Sequence, residues 1–282
     1  VTAQPVTLPP AAAELVDELG ALPGLAPVRK PGPARPVQRW SGDAVVVDVA
    51  VGDEGRRLIR LEADGRRWAT THGVPTPPLL GVADDASWLV TRRVRGTSCR
   101  GERAVRAAMT VADAIARAPA PVSPVAATVW RGTRATLAQR AARSVAAGLP
   151  VHAYRRARAA VAELDEHATA HGDLYRRNVI TTDGARVWVI DWEFLGSHPR
   201  WTDHLRLWST LTDPVDREIA LGHVLTSVSR SDQEHVAVLI RYLTLRLLAE
   251  NLAAARRWRN ADDVEHARRM VAEGEAVARQ LT

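Results

Sequence analysis

Apolar and polar residues alternate in short runs over the first third of the chain and then give way to a helical period. Five segments read as β-strands: Pro36 to Trp40, Ala44 to Val51, Arg56 to Leu61, Leu79 to Val82 and Trp88 to Val94. Ser41-Gly42-Asp43 and Gly52-Asp53-Glu54-Gly55 separate the first three, so an antiparallel meander is the simplest arrangement. A brief helical piece ends near His72-Gly73, where glycine suits a C-terminal cap, and Pro75, Pro77 and Pro78 rule out helix before the last two strands. Residues 1–95 are therefore expected to form a small α+β lobe. A proline-rich leader, residues 1–36, enters it with one helix from about Ala11 to Leu19, and Arg95-Gly96-Thr97-Ser98 reads as the linker leaving it.

From Glu102 onward the apolar positions follow a helix, with Val105, Ala108, Met109, Ala112 and Ile115 on one stripe. Further helices are expected over Thr133 to Ala147 and Ala153 to Ala170. Two short strands, Val179 to Thr181 and Arg186 to Ile190, interrupt them, joined by the hairpin connection Thr182-Asp183-Gly184-Ala185. Helices then resume, and Val264, Ala267, Val271, Gly274, Ala278 and Leu281 share one face at the C-terminus. The pattern predicts an α+β protein of two lobes, the second (residues 96–282) larger and mainly helical.

Composition adds limits to that picture. With 282 residues, 46% hydrophobic and 25% charged, the chain can fill two cores and disorder is not expected. The single cysteine, Cys99, cannot form an internal disulfide, and no apolar run of about 18 residues is present to span a membrane. The first residues lack the basic start and apolar core of a secretory signal, so a cytoplasmic protein without a membrane partner is expected. Residues 96–170 carry 11 basic and 5 acidic side chains and hold the whole +6 net charge. Their arginines follow helical patterns without interleaved aromatics, so nucleic acid is not an expected partner. Lys30 is the only lysine, so any role usually filled by lysine falls to it or to an arginine.

The sharpest chemistry lies in His171-Gly-Asp-Leu-Tyr-Arg-Arg-Asn178 and Val187-Trp-Val-Ile-Asp-Trp-Glu193. Asp173, Asn178 and Asp191 follow the order and approximate spacing of a kinase catalytic loop and its metal-binding aspartate. Phosphoryl transfer needs a carboxylate near the acceptor hydroxyl and oxygen ligands for magnesium. Asp173 fits the first need, and Asn178 and Asp191 the second. Taken singly, each would more often close a turn or cap a helix; together, the motif and the apolar strand ending in Asp-Trp-Glu are far more specific. His167 and His171, four apart, would make half a zinc site on a helix, but no HExxH or cysteine partner accompanies them.

The segment from His171 to Asp203 resembles the aminoglycoside phosphotransferase and choline kinase superfamily, whose members carry HGDxxxxNV and IDWE-type motifs. The resemblance implies a protein-kinase-like fold, with Asp173 as catalytic base and Asn178 and Asp191 as magnesium ligands. It further implies that His171 braces the loop, that Asp203 is a structural aspartate, and that Glu193 reaches a second metal through water. Trp68 to Pro77 and Trp88 to Thr97 look like the family's helix-to-strand junction and hinge, which would place the adenine near Thr91 to Val94. ATP is the implied donor with Mg²⁺, and nothing in the sequence excludes GTP.

Two departures fall on the phosphate-gripping side. The third strand reads Leu58-Ile-Arg-Leu-Glu62, so Arg60 takes the position where the family has a lysine. Glu62 is correctly spaced from His72-Gly73 to be the lysine's helical partner, yet stands only two residues beyond Arg60. The glycine-rich loop is reduced to Ser41-Gly42-Asp43, so phosphate cradling there is modest. Residues 204–282 balance 11 basic with 11 acidic side chains, which leans away from a polycationic acceptor. The expected acceptor is a small hydroxylated molecule: an antibiotic, aminoglycoside-like or nucleoside-type or glycosylated, or a sugar, with antibiotic resistance as one physiological role. The alternative is a kinase-like protein that binds a ligand or partner without catalysis. Either is compatible with a monomer or a homodimer.

Overall fold

The computed structural model describes residues 7–28, 36–121, 134–183, 185–258 and 261–282. Lys30 and Gly184 lie outside the described residues. Helix α1 (Pro10–Glu18) starts with proline in its first turn, where no amide donor is needed, and buries Ala12 and Val16. Five strands follow around one helix: β1 (Ala26–Pro27), β2 (Val37–Ser41), β3 (Val45–Ala50), helix α2 (Gly52–Thr71), β4 (Leu79–Val82) and β5 (Trp88–Arg92). They form one antiparallel sheet in the order β1-β2-β3-β5-β4. In β3 the valines Val45, Val47 and Val49 pack with α1, while Ala50 belongs to the cluster under α2 with Ile59, Ala63 and Leu89. By alternation Asp48 lies on the α2 side of the sheet.

The segment Arg56 to Leu61, expected as the third strand, lies inside α2. Gly52 turns the chain at φ +71° directly after β3, and Asp53 and Glu54 place negative charge in the first helical turn, where the helix dipole favours it. Ile59 and Ala63, one turn apart, are then buried together. The fifth strand of the sheet is β1 instead. This moves Arg60 off any strand: it is exposed on the outer side of α2, while Glu62 on the same helix is buried.

Linker residues Thr97–Ser98 form β6, which pairs with the catalytic hairpin β8 (Val179–Thr182) and β9 (Arg186–Val189). Between them run α3 (Glu102–Arg117), α4 (Arg134–Ala146), α5 (Val151–Ala162) and β7 (His167–Ala170). The expected helix to Ala170 thus stops at Ala162, and its last residues become β7, paired with β10 (Gly196–Pro199). Helices α6 (Thr202–Thr210), α7 (Pro214–Ser227), α8 (Gln233–Trp258) and α9 (Ala261–Leu281) complete the chain, with a 3₁₀ turn at Arg230–Asp232.

All five predicted stripe residues of α3 are buried in the large core, with Trp192, Leu205, Trp208 and the inner faces of α8 and α9. Gly274 lets α9 lie close against α8, since a Cβ there would stand 2.9 Å from Thr244 Cγ2. Among the described residues no helix is long and apolar enough to cross a membrane.

The two parts meet at α2. Gly65 faces Trp192, and an added Cβ would lie 2.6 Å from Trp192 Cβ and 2.8 Å from its carbonyl oxygen. Trp192 is fully buried and donates its Nε1 hydrogen to Thr76 Oγ1 at 3.0 Å. Helix α2 is thereby set directly on the segment that carries Asp191.

Candidate active site

The loop after β7 is gripped by one carboxylate from α6. Asp203 accepts the amide of His171 at 2.6 Å and that of Gly172 at 3.0 Å. Burial pushes its carboxyl up to about 7, against the opposing pull of those amide donors. Gly172 has φ +81°, and a Cβ there would stand 2.6 Å from Phe194 O, so the loop needs glycine at this point.

His171 links the loop to the strand beyond the hairpin. It is fully buried, its Nε2 lies 2.9 Å from Ile190 O, and its Nδ1 lies 3.3 Å from the amide of Asp173. The backbone partners assign a neutral ring that donates from Nε2 and accepts at Nδ1. Burial agrees, pushing the imidazole down to about 4. Trp192 packs edge-on against it with ring centres 4.8 Å apart.

Asp173 sits at the centre of a charge cluster that the sequence did not disclose. Its Oδ1 accepts from Arg206 Nε and from Arg246 Nη2, each at 3.1 Å. Glu250 joins the same two guanidiniums, at 2.7 Å from Arg206 Nη2 and 2.8 Å from Arg246 Nε. Burial opposes the charge of Arg206, but Glu250 and Asp173 outweigh it and hold its pKa above the ordinary range. The four charges cancel. With Oδ1 occupied, Oδ2 is the oxygen of Asp173 that makes no hydrogen bond with the described residues.

Asn178 faces the same loop. Its Nδ2 donates to Asp173 O at 3.0 Å, which leaves its amide oxygen as the atom available to a ligand, and its backbone carbonyl accepts Ile190 N at 3.0 Å. That bond sets Asp191 beside Asn178. Asp191 adopts φ +65° and its side chain is 44% exposed, open enough to coordinate. A carboxylate and a carboxamide oxygen are the hard donors magnesium takes, so these residues fit that ion. Glu193, partly buried just beyond, acts electrostatically on Arg57 of α2.

On the sheet side the expected cation is absent from β3 and present on its neighbour. Asp48 occupies β3, and Arg39 of β2, its cross-strand partner, binds it through Nε at 2.7 Å and Nη2 at 2.9 Å. Arg39 Nη2 also lies 3.6 Å from Asp191 Oδ1. Glu62 pairs along its own helix with Arg66, Oε1 to Nε 2.7 Å, a close ion contact whose angles do not make a hydrogen bond. Burial raises the Glu62 pKa, Arg66 lowers it, and Asp191 and Asp48 raise it again. Three carboxylates (Asp48, Glu62, Asp191) thus share this side with two guanidiniums, leaving an excess of negative charge that suits a divalent cation.

Of the residues the sequence singled out, the fold brings Asp173, Asn178 and Asp191 together and sets Glu62 nearby; Arg60 is turned to solvent. The Ser41-Gly42 turn closes through Gly42 N to Val45 O at 3.0 Å and is tied to the hinge by Arg93 Nη1 to Gly42 O at 2.6 Å. Thr91 is buried within β5, and Val94 follows the strand's end at Arg92. Arg206 and the Arg246/Glu250 pair were within reach of sequence reasoning. Arg206 is one turn from Asp203 on the same helix, and the pair interrupts an apolar run at i, i+4. Arg39 left no such signal, because its partners come from across the sheet.

Comparison with known proteins agrees with the fold. The family described as "Phosphotransferase enzyme family" matches residues 34–227. No curated protein matches significantly by sequence. Among solved structures, a choline/ethanolamine kinase family protein from Mesorhizobium loti superposes with a TM-score of 0.58 at 18% identity, covering 95% of this chain and 93% of that one. The macrolide 2'-phosphotransferase MphH from Brachybacterium faecium gives 0.56 at 16% identity, over 93% and 97% of the two chains. A thermostable mutant of the aminoglycoside phosphotransferase APH(4)-Ia, in ternary complex with AMP-PNP and hygromycin B, gives 0.57 at 17% identity, over 94% and 97%. At these identities the likeness is one of fold.

Proposed function

The chain belongs to the phosphotransferase enzyme family, and from that premise we propose that it is an ATP- and Mg²⁺-dependent O-phosphotransferase acting on a hydroxyl of a small molecule. The observation that carries the reading is Asp173, with one carboxylate oxygen clamped by two buried arginines, the other making no hydrogen bond with the described residues, and its backbone carbonyl bonded by Asn178. Asp173 receives the acceptor's hydroxyl proton at Oδ2, and Arg206 and Arg246 hold the carboxylate in that orientation. Asn178 and Asp191 would hold magnesium, which when bound neutralises phosphate charge. Glu193 would support a second ion through water.

The first 95 residues serve as the nucleotide lobe, with the base against Thr91 to Val94 and the phosphates reaching the Ser41-Gly42 turn and Arg39. Residues 96–282 carry the acceptor. Arg39, beside Asp191, replaces Arg60 as the arginine expected to meet the phosphates. The bound pair of AMP-PNP and hygromycin B in a structural relative supports a site for a nucleotide and a hydroxylated acceptor.

The acceptor is a neutral or mildly anionic hydroxylated molecule, a nucleoside-type or glycosylated antibiotic or a sugar. The balanced cluster around Asp173 offers a polycation no net attraction. An ATP-dependent reaction of this kind suits the cytoplasm. The binding-only alternative draws on one feature, the engagement of Arg39 by Asp48.

Incubation with Mg-ATP or Mg-GTP and a panel of hydroxylated antibiotics, nucleosides and sugars, read by the mass gain of one phosphoryl group, tests the reading. Asp173→Asn should reduce transfer by roughly 10²- to 10⁴-fold while the nucleotide-induced thermal shift persists. A wild-type protein that shows no shift with either Mg-nucleotide would sink the proposal. A shift without transfer across the panel would favour the binding-only alternative.

A further inference from the structure

Three helices of the second lobe meet at side chains that phosphoryl transfer does not use. Asp113 of α3 lies between His204 of α6 and His223 of α7. His204 Nε2 is 2.9 Å from its Oδ1 and His223 Nε2 is 3.1 Å from its Oδ2. The two rings stack with an interplanar angle of 14° and centres 5.9 Å apart, so both present the same nitrogen to one carboxylate. One ligand atom from each of the three side chains lies within 4.8 Å of the others. We propose that Asp113, His204 and His223 form a zinc site, with water in the fourth position.

The donor set and its spacing support zinc. Zinc takes imidazole nitrogen and carboxylate oxygen at about 2.0–2.2 Å, and tetrahedral ligand atoms then stand roughly 3.3 Å apart. Each imidazole nitrogen stands near that edge from its own carboxylate oxygen, 2.9 Å to Oδ1 and 3.1 Å to Oδ2, and with the three ligand atoms within 4.8 Å of one another, seating the ion draws them together.

The surroundings hold the ligands and leave an entrance. Trp201 packs edge-on against His204 at 5.2 Å and restricts its ring, while His204 itself is 3% exposed. Asp113 and His223 keep 28% and 29% of their side chains exposed, enough for entry of an ion and a water. Arg200, a cation that acts on His204, is shared with Glu166 and Asp232 at 3.8 Å each, which blunts its repulsion of an ion.

The consequence for the fold is direct. His204 follows Asp203, so an ion fixing α6 to α3 and α7 also steadies the carboxylate that grips the catalytic loop. The His167/His171 pair suggested by the sequence cannot serve this purpose, since His167 is exposed on β7 and both nitrogens of His171 are engaged by backbone.

The full-length chain, stripped with a chelator, is titrated with Zn²⁺ and separately with Co²⁺. The expected result is about one zinc per chain retained through gel filtration, a raised Tm, and the intense visible absorption of tetrahedral cobalt. Asp113→Asn and His223→Gln should each weaken zinc binding by at least about tenfold. Wild-type protein that binds zinc no more tightly than the double variant overturns the proposal. Should the variants fail to fold, the cobalt spectrum of the wild type decides, because a weak octahedral spectrum is equally fatal. Mg-nucleotide thermal shifts on the same stripped protein report on the phosphotransfer reading independently.

Discussion

Replacement of Arg39 by alanine separates two roles that the geometry assigns to one guanidinium. Arg39 holds Asp48 in a bidentate pair at 2.7 and 2.9 Å and stands 3.6 Å from Asp191. The Asp48 side chain is only 9% exposed, so deleting Arg39 leaves a buried carboxylate without its partner. Breaking a buried pair costs about 3–5 kcal/mol, and the 35% exposure of Arg39 puts this case near the lower end. The contact to Asp191, exposed at both ends, adds less than about 1 kcal/mol.

Arg39→Ala should therefore lower the unfolding free energy by about 3 kcal/mol, measured by urea titration. Removing both partners, Arg39→Ala with Asp48→Ala, leaves no orphan charge and should recover most of that loss. Nucleotide affinity should behave differently. A charge-assisted contact to phosphate contributes about 1.5–3 kcal/mol, or roughly ten- to 150-fold in Kd for Mg-ATP by calorimetry, and this should be lost in the single and the double variant alike. Arg60→Ala, on the outer side of α2, should leave both quantities unchanged. A double variant that binds Mg-ATP as tightly as wild type, or an Arg60→Ala variant that weakens it equally, would refute the assignment.

Two further outcomes follow from packing and protonation. Gly65→Ala forces a methyl within 2.8 Å of a backbone oxygen of Trp192 and should cost about 1–3 kcal/mol, seen as a lower Tm. Gly222→Ala, on α7 with nothing within 4 Å of the new Cβ, should instead gain up to about 1 kcal/mol. For His171, burial places the folded pKa near 4, below the ordinary 6.5. The unfolded chain then binds more protons between these values, so stability is full above about pH 6.5 and falls on acidification toward pH 4, by roughly 3 kcal/mol for this group. Asp203, its carboxyl raised to about 7, slopes the opposite way over the same range, so the His171 contribution is read as the difference in urea midpoints between wild type and His171→Gln, which should widen toward neutral pH; a constant difference across the range would count against the neutral buried ring.

The grouping of Asp173, Asn178 and Asp191 was legible because these residues are close in sequence. His171 to Asp191 spans one loop and one hairpin, and local spacing fixes their relation. The α3 stripe was legible for the same reason, as every buried position is apolar. Helix α2 was not. Residues 56–61, a short segment set off by Gly52 and Gly55, read as a strand, and the buried face of the helix mixes Gly55, Glu62, Gly65 and Arg66 with the apolar Ile59, Ala63, Trp68 and Ala69. Charges and glycines stand there because the helix must approach Trp192 closely and face the acidic cleft, so the binary pattern fails where function or close contact overrides it. That single misreading placed the expected phosphate-side cation at Arg60, whereas the arginine beside Asp191 is Arg39.

The contact between Gly65 and Trp192 also governs how the molecule can move. Trp192 is anchored to Thr76 on one side and to the His171 ring on the other, and α2 lies on it with no side chain between. A cleft built this way cannot widen by pulling its halves apart without breaking the pin. It has to rock about Trp192 as a fulcrum, so the stroke at any point grows with distance from that indole. In the proposed kinase the Ser41-Gly42 turn between β2 and β3 would move farther than Asp191, which stands one residue from the fulcrum and would keep nearly the same place.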